Sequence, residues 1–123
     1  MLCPQSLFKI HPENDALFAE ILAHNPGAML VLFAGRHPAI GDARGLGLMV
    51  AIELVKPGVG DGRVPDPDVT KRIQAEALAR KLIVLTAGTY VNVIRIIPPL
   101  VTTAAEVDLA LSILDESLTA AGA

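Results

Sequence analysis

The residue pattern predicts an α+β unit: a small antiparallel sheet with helices on one face, preceded by a helix–strand segment. Three observations carry this expectation. Beyond residue 65 stand two segments with apolar residues at helical spacing, each preceded by a capping residue. Short runs rich in Val, Ile and Leu, bounded by Gly and Pro, read as strands. From residue 45 the order is strand, helix, strand, strand, helix, which lacks the regular alternation of a parallel βαβ sheet.

The elements follow in order. "HPENDALFAEILAHNPG" (11–27) reads as a helix, with Pro12 at a first helical position, acids in the first turn and Leu17, Phe18, Ile21 and Leu22 as its apolar stripe. "AMLVLFA" (28–34) reads as a buried strand closed by the loop "GRHPAIGD". "GLGLMVAIELV" (45–55) is a second strand, too apolar for either face to be fully wet. The Pro- and Gly-rich "KPGVGDGRVPDP" (56–67) is a loop, at whose end Asp66 caps a helix with Pro67 at its first position. Val69, Ile73, Ala77 and Ala79 are placed on or near the inner side of that helix. "LIVLT" (82–86) and "VNVIRII" (91–97) are the third and fourth strands, and Pro98-Pro99 forbids further ladder pairing. Thr103-x-x-Glu106 has capping-box spacing, and Val107, Ala110, Leu111, Leu114 and Leu118 continue it as a helix.

Composition narrows the function classes. Ten basic and thirteen acidic residues leave a formal charge of -3 with no basic tract, which argues against a nucleic-acid partner. The apolar runs are too short to span a bilayer, and "MLCPQSLFKI" lacks the charged start and long apolar core of a signal peptide, so no membrane partner is expected. A lone Cys3 forms no internal disulfide, and a cytoplasmic location is expected. Hydrophobic residues make up 52% of the chain and mean hydropathy is +0.51; such a surplus calls for a face covered by more protein, in a homo-oligomer or by another domain.

Most candidate chemistry gives way to plainer readings. "GDARGLGLMV" offers two glycines, but Val50 stands where a dinucleotide loop needs its third and a strand follows instead of a helix; Gly45 and Gly47 fit a close backbone approach or a bulge. His11, His24 and His37 have no short ligand spacing and Cys3 stands apart from them, so no metal site is expected. Asp66 and Asp68 have ordinary work at a helix start. Of the lysines, Lys9, Lys56, Lys71 and Lys81, none sits in an apolar setting that would depress its pKa for Schiff-base chemistry, and no residue is assigned a catalytic role. Arg95 is left. Alternation sets it beside Val91, Val93 and Ile97, with Asn92, Ile94 and Ile96 on the other face. A guanidinium there reaches water, pairs with a protein carboxylate, or grips an anionic ligand through its two-pronged fork.

"GDARGLGLMVAIELV" followed by "LIVLTAGTYVNVIRIIPPLVTTAAEVDLALSILDESL" resembles the C-terminal part of class III pyridoxal-phosphate aminotransferases, those of 4-aminobutyrate above all. The likeness covers about residues 36–119, and Arg-Gly-x-Gly-Leu, Asn-Val-Ile-Arg and Pro-Pro-Leu occur in the family's order. It implies the small domain of a fold-type I aminotransferase, which packs on a large cofactor-binding domain and closes over substrate. It also implies that Arg95 binds the carboxylate of an amino acid or 2-oxo acid. The family usually has Gly after the Tyr of this loop, where this chain has Val91. The Schiff-base lysine, the Asp that pairs with the pyridine nitrogen and the phosphate-binding residues belong to the large domain, and none is matched here. Pyridoxal phosphate is therefore expected in the parent family and not on this chain alone.

"CPQSLFKIHPENDALFAEILAHNPGAMLVLFAGRHP" (3–38) resembles a catalytic-region segment of O-linked N-acetylglucosamine transferase-like proteins that carry tetratricopeptide repeats. By that likeness Lys9 contacts nucleotide-sugar phosphates. The two resemblances meet at Arg36-His37-Pro38, which implies a chimera: residues 1–38 a glycosyltransferase-like fragment and 39–123 the aminotransferase small domain. The expectation is a truncated or chimeric aminotransferase piece. The competing readings are a non-enzymatic association module and a remnant nucleotide-sugar transferase fragment.

Overall fold

The computed structural model describes residues 35–46, 49–61 and 63–123. The helix expected over 11–27, the strand expected over 28–34 and Lys9 lie outside the described residues.

Strands β1 (Ile40–Leu46) and β2 (Met49–Leu54) form an antiparallel hairpin whose pairing runs from Leu46↔Met49 back to Ile40↔Leu54. Residues 47 and 48 alone connect them, so the single strand expected over 45–55 is two. The break between the strands is hidden in the sequence because Leu46, Leu48 and Met49 keep the stretch apolar and Gly47 alone, without Asn, Asp or Pro, reads equally well as a bulge within one strand. Gly45 permits the close approach that its sequence position suggested. A Cβ there would lie 2.6 Å from the Met49 carbonyl oxygen.

Helix α1 (Pro67–Ala79) begins as its sequence predicts: the Asp66 carboxylate accepts the Val69 amide at 3.0 Å and Pro67 needs no donor partner. Val69, Ile73 and Ala77 are buried. Ala79, expected inward, is exposed, because two residues beyond Ala77 is roughly 200° around a helix. Strand β3 (Leu85–Ala87) starts later than the expected 82–86. The Leu82 amide still bonds back to Ala77, and the Val84 carbonyl is taken by the Gln74 side chain, so neither group joins a ladder. Strand β4 (Val93–Ile96) follows, and then helix α2 (Ala104–Ala121). The latter opens with the capping box read from Thr103 and Glu106.

The sheet order is β1-β2-β4-β3 with every pair antiparallel. Val50 faces Ile96 and Ile52 faces Ile94 across β2 and β4, and these join Ile73, Ala77, Leu111, Leu114 and Leu118 of the helices in one apolar cluster. Both helices thus cover one face of the sheet. His37 is buried at the approach to β1, its Nε2 2.8 Å from an Asp115 carboxylate oxygen, which ties that segment to α2. Among the described residues no helix is long and apolar enough to cross a membrane.

Candidate functional site

The sheet face turned from the helices carries the polar residues. Register defines one row across it, Arg44↔Ala51↔Arg95↔Leu85, and next to it a second, Asp42↔Glu53↔Val93↔Ala87. Period-two alternation explains the cation within an aliphatic strand: Ile94 is fully buried among the helices, whereas Arg95 points to the open side and is exposed.

Among the described residues no carboxylate pairs with Arg95. The acids on its face are engaged elsewhere. Arg44 lies 2.6 Å from the Asp42 carboxylate and 2.7 Å from that of Glu53, and these bonds, Asp42's first, hold its guanidinium above the usual arginine range. Arg95 also borders an apolar groove of about 430 Å³ between the β3–β4 edge and the first half of α2, walled by residues such as Leu82, Leu85, Ile97 and Leu111. Among the described residues the other charged one on that groove is Glu106. Its carboxylate accepts both the amide and the hydroxyl of Thr103 at 2.8 Å, which lowers its pKa below the ordinary carboxylate value.

The loop between β3 and β4 sets the approach to Arg95. The Val91 amide bonds to the Gly88 carbonyl at 3.1 Å, with both residues at positive φ, 83° for Gly88 and 54° for Val91. Asn92 is buried, and its side-chain amide donates to the Leu54 carbonyl at 2.9 Å and more weakly to Glu53 at 3.4 Å. Its side chain is thus engaged by Leu54 and Glu53. Arg44 and Glu53, which frame the site, were missed by sequence reasoning. The only signal was that Asp42 and Arg44 alternate with Ala43, and this becomes visible only once β1 is known to begin at Ile40.

Pyridoxal phosphate does not fit these residues. Lys56, Lys71 and Lys81, the lysines among the described residues, are all exposed, so none offers a desolvated amine for a Schiff base.

Solved structures define the class first. The fold matches a phospholyase from Arthrobacter in complex with phosphoethanolamine at a TM-score of 0.72 and 27% identity, over 87% of this chain and 26% of that one. An omega-aminotransferase from Paracoccus denitrificans matches at 0.70 and 30% identity, over 89% of this chain and 24% of that one. The chain belongs to the class-III aminotransferase family, whose sequence pattern matches residues 27–118. Among relatives, the 4-aminobutyrate aminotransferase GabT of Escherichia coli (strain K12) is 44% identical over 87 residues, 71% of this chain. The matched stretch is 20% of that relative's length.

Proposed function

We propose that these residues are the C-terminal small-domain part of a class III aminotransferase of the 4-aminobutyrate/2-oxoglutarate type, in which Arg95 grips the substrate carboxylate. The observation that carries this reading is a guanidinium left exposed and without an acidic partner among the described residues, at the arginine of the family's Asn-Val-Ile-Arg stretch. A planar fork of donors matches a carboxylate on two bonds. We assign residues 39–123 to this domain and residues 1–38 to a glycosyltransferase-like fragment in which Lys9 is the nucleotide-sugar contact, although the aminotransferase pattern reaches back to residue 27. The family's cofactor-holding residues are matched by none of the 123 residues, so alone these bind no pyridoxal phosphate and, without that electron sink, transfer no amino group. A cytoplasmic location accompanies this reading.

The test is a titration of the chain with glutarate, followed by NMR. Expected are millimolar shifts at Arg95 and its neighbours on β2 and β4, absent in Arg95→Ala; identical shifts in both proteins would overturn the assignment. In parallel, pyridoxal phosphate should gain no new absorbance, and 4-aminobutyrate with 2-oxoglutarate should yield no product. Turnover that disappears in Arg95→Ala would refute the claim that the chain is inactive alone.

A second reading has its own support. Ile83 on the apolar groove, and Leu100 and Val101 between its Pro99 and Thr102, are 78%, 91% and 87% exposed, an arrangement suited to burial against a second copy or a large domain.

A further inference from the structure

The acid best placed to neutralise Arg95 does not do so. Glu53 lies on β2 two residues beyond Ala51, and Ala51 faces Arg44 on one side and Arg95 on the other. Glu53 is therefore a diagonal neighbour of both arginines at the same register offset. Such diagonals lie about 7–8 Å apart and are bridged by long side chains. Glu53 goes to Arg44, at 2.7 Å, and its other oxygen accepts from Asn92 at 3.4 Å. Asp42, directly opposite Glu53, goes to Arg44 as well, at 2.6 Å. Among the described residues one guanidinium thus collects both carboxylates of the open face while the other collects none. Since a salt bridge on a carboxylate-binding arginine must be broken before a ligand enters, where Glu53 points bears directly on affinity.

We propose that Arg44 is a positioning residue that holds Glu53 away from Arg95 and so keeps the Arg95 guanidinium open to a carboxylate ligand. The idea rests on the reading of Arg95 as a carboxylate binder, and deepens it: the free state of that residue is built by a second arginine one strand beyond its neighbour.

The test is a double-mutant cycle on the full chain with Arg44→Gln, Glu53→Gln and the pair, read first without ligand. The Arg95 side-chain Nε–Hε resonance, identified by its loss in Arg95→Lys, should shift in Arg44→Gln as Glu53 turns to it, and return to its original position in the double variant. An Arg95 resonance unmoved by Arg44→Gln overturns the proposal, whatever glutarate does. Glutarate affinity should fall about two- to fivefold in Arg44→Gln, the range of one exposed ion pair, and show no effect of that substitution in the Glu53→Gln background. Equal weakening in both backgrounds would mean that Arg44 acts through its charge alone, and would also overturn it. Arg44→Lys, which still pairs a carboxylate, should lie nearer the original protein. Absence of glutarate binding to the unsubstituted chain would instead refute the Arg95 reading, while the ligand-free resonance still decides where Glu53 goes. Arg44 is half exposed, so retained amide dispersion is expected in every variant.

Discussion

Val91 holds a backbone φ of 54°, a region that L-residues avoid and β-branched ones most of all. Its neighbours impose this. The Val91 amide closes on Gly88, and Asn92 immediately after it is anchored on Leu54 through both backbone and side chain. The chain must therefore turn within one residue, and glycine is what such a turn favours. Val91→Gly is expected to stabilise the protein by about 0.5–1 kcal/mol, since relief of roughly 1–2 kcal/mol of left-handed strain outweighs the added freedom of the unfolded chain. A urea midpoint that falls would show that the site carries no strain. Asn92→Ala, in contrast, removes a buried bond to the Leu54 carbonyl and should cost about 1–2 kcal/mol in the same measurement.

At the scale of elements, both helices owe their starting points to side chains that satisfy free amides. Asp66→Ala removes the acceptor for the Val69 amide and should destabilise the chain by about 1 kcal/mol, read as a lower melting temperature; Asp66→Ser, which still caps, should recover most of it. The start of α2 is also pH-dependent. Thr103 lowers the pKa of Glu106 by bonding its ionised form, so this contribution is complete at neutral pH and is lost as the pH falls through the lowered value. Protection of the amides at residues 104–107, taken as exchange relative to the unstructured rate at each pH, should fall on acidification, and Glu106→Ala, which removes the acceptor, should show the lower protection at neutral pH already. An acid-insensitive first turn would contradict this. Strand β3 is the shortest of the described strands and pairs on one side only. It is three residues long, and its lead-in is bonded to α1.

For the whole molecule, the exposed Ile83, Leu100 and Val101 beside the groove predict self-association and binding of an apolar dye. Sedimentation velocity should show species larger than a monomer at micromolar concentration, reduced in a Leu100→Ser/Val101→Ser variant. A clean monomer without dye binding would leave those side chains as ordinary surface. Much of this architecture is legible in local chemistry. Asp66-Pro67 and Thr103-x-x-Glu106 announce both helix starts, and Pro98-Pro99 ends the last strand, because caps and proline act within a turn or less of chain. The hairpin between β1 and β2 is not legible, since Gly47 reads equally well as a bulge within one apolar strand and only the pairing of Met49 with Leu46 and its approach to Gly45 decide otherwise.

The sequence by itself determined the α+β class, the family and the oddity of Arg95, since each of these rests on residue type and short-range spacing. Tertiary structure alone decided the environment of that arginine. Strand register, which no short window encodes, sets Glu53 at equal offset from two guanidiniums, and its bond to Arg44 is a contact between residues nine apart in the chain. Whether a cation is paired or free depends on which side chains the folded sheet brings within a few ångströms, and that distance is a property of the whole fold.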